Sequence, residues 1–180
     1  MKKYISLLRG INVSGQKRIL MKDLKSLYVS IGLYDVSTYI QSGNVLFNST
    51  ENNISEISAS IVKAIKRKYG FDVKVIVKTQ SELGKIIKQN PFLKINDIDI
   101  GKLYVTFMEY KPAKEFIDRL TPNKETNDVY KIIGTEIYLY CPGGYGKTIF
   151  SNTYIEKKLD LKTTTGNWKT INKLLQIASE

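Results

Sequence analysis

Lys147 and Thr148 follow Gly143, Gly144 and Gly146 in the stretch CPGGYGKTIF, and a helical pattern opens at Ser151. Strand end, glycine-rich bend, Lys-Thr pair and helix make the layout of a phosphate-binding loop. The full nucleoside-triphosphatase pattern needs a glycine five residues before Gly146. That position is Cys141, and no apolar run ending in an aspartate follows to hold magnesium. The triphosphatase reading fails. Anion binding by loop amides beside a lysine survives, through Gly144, Tyr145, Gly146 and Lys147, against the plainer reading of a glycine-rich turn.

Other polar residues cluster in short motifs. RGINVSGQKR leaves the first strand at Arg9-Gly10, where a guanidinium beside flexible backbone suits a phosphate or carboxylate. Arg9 can equally pair with an acidic residue such as Glu156. Asn12 can serve its own loop or a ligand. Ser42, Gly43 and Asn44 form a hairpin turn, which is ordinary turn chemistry unless it lies against the Arg9 loop. Asn152 and Glu156, four residues apart, share one helix face, and Glu156 is the best available general base. Asn167 suits the N-cap of a helix opening at Trp168. Trp168, the sole tryptophan, reads more readily as an interdomain anchor than as a ligand platform.

The chain has 180 residues, one cysteine and no histidine. Without histidine, Ser-His-Asp and Cys-His catalysis and His-ligated zinc are excluded. One cysteine excludes an internal disulfide and a multi-cysteine metal site, and a cytoplasmic location follows as the default. The apolar stretch Tyr4 to Leu8 is too short for a secretory signal, and no run approaches the roughly 18 residues of a membrane span. The net charge is +11, and residues 1–80 hold 13 Lys and Arg against 5 Asp and Glu. Such a balance suggests an anionic partner or simple solubility.

The elements that must position these residues repeat one order. The first half reads as a strand at Tyr4 to Leu8 and a helix over Leu20 to Ile31 closed by Gly32. Strands VSTYI and NVLFN, a helix from Ile54 to Tyr69 stopped by Gly70 and a strand DVKVIVK follow. The second half reads as a strand at Leu103 to Met108, a helix marked by Ala113, Phe116, Ile117 and Leu120, and a hairpin of DVYKII and EIYLYC. A helix from Ser151 to Leu159, an edge strand LKTTT and a helix from Trp168 to Ala178 complete it. The fold class is α+β: two tandem ferredoxin-like (βαββαβ) units with antiparallel sheets, plus a C-terminal helix. The units are 1–80 and 102–180, with a connector at 81–101. Alternation puts Ile5, Leu7, Val45, Phe47, Val73, Val75 and Val77 under the first unit's helices. Its open face then carries Tyr4, Leu8, Tyr39, Leu46 and Ile76. The second open face carries Tyr104, Met108, Tyr138 and Tyr140 with Lys131.

LLRGINVSG at 7–15, YIQSGNVLF at 39–47, GYGKT at 144–148 with Asn152 and Glu156, and TTTGNW at 163–168 resemble the bacterial family known as domain of unknown function 1697. The resemblance spans nearly the whole chain. It implies a tandem of ferredoxin-like units and these site candidates, and it carries no activity. Relatives usually end the first loop Val-Gly-Gly, where this chain has Ser14 before Gly15. They usually place Asn before Gly-Tyr-Gly, where this chain has Gly143. Their last motif is typically Thr-Arg-Asn-Trp-Asn-Thr, where this chain has Gly166 and Lys169. If the missing arginine binds an anion in relatives, this chain has lost that contact, or Lys169 or Lys147 substitutes for it.

The leading expectation is a small cytoplasmic protein that holds a phosphate-bearing ligand between its two units. Contacts would come from Arg9, Gly10, Asn12, Ser42, Asn44, Gly144, Tyr145, Gly146, Lys147, Asn152, Asn167 and Trp168. The alternatives are single-stranded RNA binding by the basic first unit, with Tyr4 and Tyr39 stacking on bases, and an enzyme using Glu156 on an anionic substrate. No metal, cofactor or membrane partner is implied. Ahead of stacking stands the reading that the apolar open faces pack against each other or on a dimer partner.

Overall fold

The computed structural model describes residues 1–13, 15–121 and 127–180. The Ser14 departure lies outside them. The chain divides into two compact units, Met1–Gly84 with Lys173–Glu180, and Lys85–Asn172.

The first unit runs β1 (Lys2–Arg9), α1 (Met21–Ser30), β2 (Tyr34–Tyr39), β3 (Asn44–Ser49), α2 (Ile54–Tyr69) and β4 (Lys74–Thr79). Its antiparallel sheet has the order β2-β3-β1-β4. Local chemistry sets the helix ends. The Asn53 carboxamide oxygen accepts the Ser55 and Glu56 N–H groups at the start of α2, and Gly70 ends it at φ +73°. Ile57, Ile61, Ala64 and Ile65 recur at helical spacing and are buried. After α1, Gly32 takes φ +81°, and Leu33 N–H closes on Tyr28 O. The end of α6 (Trp168–Ser179) belongs here too: Leu175 lies over Gly84, and Gln80 Nε2 donates to Ser179 Oγ.

The face of β1 is opposite to the sequence expectation. Tyr4 pairs with Phe47, Ser6 with Val45 and Val77, and Leu8 with Val75. Tyr4 and Leu8 therefore join the helix-side core with Leu24, Leu27, Tyr28, Ile61 and Ile65. The Tyr4 ring stacks on Phe47 at 5.8 Å, and its hydroxyl donates to Glu51 O. Ile5, Leu7, Leu46 and Ile76 lie on the other face and are also buried. A strand apolar on both sides carries no phase in its own pattern; register with β3 decides.

The chain passes into the second unit within α3 (Gln80–Lys88), after Gly84; β5 (Leu103–Met108), α4 (Lys114–Ile117), β6 (Val129–Ile133), β7 (Glu136–Tyr140), α5 (Asn152–Leu159) and β8 (Thr163–Asn167) follow. Its antiparallel sheet has the order β6-β7-β5-β8, so β8 is an edge strand. The same inversion recurs in β5. Tyr104 and Met108 pack with Ile137, Leu139, Phe150, Ile155 and Leu159 on the helix side. Tyr138, opposite Val105, points the other way and is fully buried, its hydroxyl donating to Ile86 O at 2.9 Å. The architecture is mixed α+β, with two four-stranded antiparallel sheets and six α-helices among the described residues.

Candidate functional site

Two polar clusters gather the motifs, one in each unit. In the first, the Arg9 loop and the Ser-Gly-Asn hairpin lie directly against each other. Leu8 N–H donates to Gly43 O at 3.1 Å, and a side chain on Gly43 would start 2.6 Å from Ile11 Cδ1. Asn12, in the left-handed region at φ +56°, clamps the loop. Its Oδ1 accepts Ile19 N–H, and its Nδ2 donates to Ile19 O and Gln41 O, each at 2.9 Å. Both Nδ2 hydrogens are committed, so Asn12 is a scaffold residue rather than a ligand donor. Asn44 is similar: it is buried, and its Nδ2 donates to Ser42 Oγ and Tyr39 O. Arg9 stands half-buried at the end of β1, and Gly10 next to it has open space over its backbone.

In the second unit the glycine loop turns away from its expected use at one point. Gly144 N–H donates to Cys141 O at 2.8 Å, so that amide is not available to an anion. Tyr145–Lys147 form a single 3₁₀ turn, with Lys147 N–H on Gly144 O. Gly146 is exposed at its centre. The stem of Lys147 lies 3.7 Å from where a Gly143 Cβ would stand, and Lys102 Nζ lies 3.8 Å from a Gly144 Cβ. Two ammonium-bearing chains thus flank one Gly-Gly bend. Nothing in the pattern around Lys102 singled it out; it is aligned by its carbonyl accepting Cys141 N–H.

Below the loop runs a directed hydrogen-bond chain. Tyr145 OH donates to Thr165 Oγ1 at 3.0 Å, and Thr165 donates to Asn152 Oδ1 at 3.0 Å. With its one proton so used, Thr165 accepts from Thr106, 2.7 Å away. Thr163 Oγ1 also donates to Asn152 Oδ1, and Glu156 Oε1 accepts Thr163 N–H at 2.8 Å. Asn152 and Glu156, one turn apart on α5, therefore tie that helix to the edge strand β8. The repeated threonines of TTTGNW were the legible signal for this chain. Tyr104 completes the support, with its ring 5.1 Å from Tyr145.

The remaining candidates are structural. Asn167 Oδ1 accepts Lys169 N–H at the start of α6, and Trp168 is buried and offers no ligand platform. At Gly166 a Cβ would lie 3.0 Å from Ile171 Cγ1. A side chain there crowds Ile171, which must shift by a few tenths of an ångström to admit it. Cys141 is fully buried. Burial pushes its thiol up to about 11, and Asp128 adds to that shift while the Thr148 hydroxyl opposes it. Among the described residues, no cluster of three His, Cys, Asp or Glu could hold a metal ion, and no helix is long and apolar enough to cross a membrane.

Residues 1–138 match the family model described as "Protein of unknown function (DUF1697)". No curated protein gives a significant match. Among solved structures, the chain is similar to the conserved bacterial protein SP0830 from Streptococcus pneumoniae. The identity is 21% and the TM-score 0.76, over 100% of this chain and 99% of that one. That likeness speaks to the fold.

Proposed function

Because the chain belongs to the DUF1697 family of proteins of unknown function, we propose its function from its own residues: it binds a phosphate-bearing anion at the glycine loop of the second unit. The observation that carries this is the pair of lysines, Lys102 and Lys147, flanking Gly143 and Gly144. The exposed Gly146 peptide next to Lys147 adds a polar backbone surface. The hydrogen-bond chain through Tyr145, Thr165 and Asn152 holds the loop in shape before any ligand arrives, which lowers the ordering cost of binding. Arg9 and the open backbone at Gly10 are a separate candidate, confined to the first unit. The strand orders support reading each unit as ferredoxin-like, and the single cysteine supports a cytoplasmic setting.

Inorganic pyrophosphate is the probe. At a concentration about 100 times its Kd, a ligand specific for the folded state adds about 2.7 kcal/mol. For a chain of this size that raises Tm by roughly 5–10 °C. Lys102→Ala and Lys147→Ala should each remove most of the rise. No rise in the parent protein, or a rise in either variant as large as the parent's, refutes the reading.

Base stacking on Tyr4 is blocked, because Tyr4 is 1% exposed. Acid–base work by Glu156 competes with the Thr163 amide that its Oε1 already accepts.

A further inference from the structure

We propose that the first unit carries a second, independent anion surface, which grips the phosphodiester backbone of a single-stranded nucleic acid. It is built from the last turns of α2 and from Lys17 of the loop after β1. Lys17 Nζ donates to Asp72 O at 2.6 Å, and Lys66 Nζ pairs with Asp72 Oδ2 at 2.6 Å. Asp72 thereby draws two ammonium groups from distant parts of the chain to one residue. Lys63, Lys66 and Arg67 are all exposed and share one face of α2, being three and four residues apart. Lys68 lies 5.4 Å from the Tyr69 ring centre, beside the same helix end.

Lys66, Arg67 and Lys68 in the last turn complement the helix dipole. Lys63 lies a turn earlier and Lys17 comes from another loop, so helix-end electrostatics does not call for either. The Asp72 carboxylate pairs with Lys66. Positive charge gathered from two segments of the chain is the electrostatic footprint of an anionic partner. A partner with repeated phosphates engages several of these side chains at once, which a single small anion cannot. The surface lies on the helix layer. It therefore does not need the tyrosines of the sheet, and it does not rest on the glycine-loop reading.

The test is fluorescence anisotropy of a labelled single-stranded RNA of mixed sequence, titrated with the full chain between about 50 and about 200 mM salt. Three or four neutralised phosphates at about 0.7 each give a log–log salt slope of roughly −2 to −3. The Lys66→Gln/Arg67→Gln variant should bind about tenfold more weakly at low salt, with a slope shallower by about 1.4. Lys157→Gln/Lys158→Gln removes the same charge from α5 and should leave the curve in place. Equal losses in the two variants, or no binding at low salt, overturn the proposal. So does binding to vesicles of phosphatidylcholine and phosphatidylserine without binding to RNA. Circular-dichroism melts of both variants establish that the folded protein is being compared.

Discussion

Gly43 and Gly32 provide a matched pair of substitutions, because both adopt left-handed backbone and differ in what surrounds them. Gly43 has φ +83° and Gly32 has φ +81°. A side chain on Gly32 meets nothing within 4 Å. One on Gly43 would start 2.6 Å from Ile11 Cδ1 and 2.9 Å from Leu8 Cβ. Ordinary carbon contacts are about 3.5–4.0 Å, so roughly 1 Å must be recovered. Ile11 can turn its terminal methyl, but Leu8 Cβ is fixed to the β1 backbone and cannot. Gly32→Ala should cost the left-handed penalty alone, about 1–2 kcal/mol. Gly43→Ala should add an overpacking cost of about 1–3 kcal/mol. Urea unfolding of both variants gives the difference. Amide exchange at Leu8, whose N–H donates to Gly43 O, reports whether the loop and hairpin have separated locally. If Gly43→Ala is no more costly than Gly32→Ala, the Arg9 loop is not held by the hairpin, and the packing argument for that cluster fails.

Three further predictions bear on the second unit. Thr165→Val removes the hub between Tyr145, Thr106 and Asn152; it should cost about 1–3 kcal/mol in chemical denaturation and weaken pyrophosphate binding through loss of loop order. The Cys141 thiol is raised from 9.0 to about 11 in the folded chain, so between those values the unfolded chain loses its proton first and folding stability falls as pH rises. The loss approaches roughly 2–3 kcal/mol above pH 11. Alkaline denaturation of Cys141→Ala should lack that component, and an unchanged pH profile would refute it. Gly166→Ala should destabilise by about 1–3 kcal/mol by crowding Ile171, and Ile171→Val in the same chain should recover part of it by removing a methyl group.

The sequence was most informative where one residue type has one physical use. Gly70 closes α2 and Asn167 receives an amide at the start of α6, both as their types and positions implied. It was least informative for β1 and β5. Their apolar residues fall on both faces, at Tyr4, Ile5, Leu7 and Leu8 and at Leu103, Val105, Phe107 and Met108. A period of two then has no phase, and only the cross-strand partner, Phe47 for Tyr4 and Ile137 for Thr106, fixes the direction. The consequence is functional, because an inverted strand moves a tyrosine from a would-be base platform into a core. The polar motifs show the same division. Asn12, Asn44, Asn152 and Glu156 stood out as chemical groups, yet folding engages their polar atoms in closing loops and joining a helix to a strand edge. Lys102 stood out in no pattern, because a surface lysine becomes a site residue only through the backbone it faces. What distinguishes it is a spatial relation to Gly144 across 42 positions of sequence, and pyrophosphate binding in Lys102→Ala tests that relation directly.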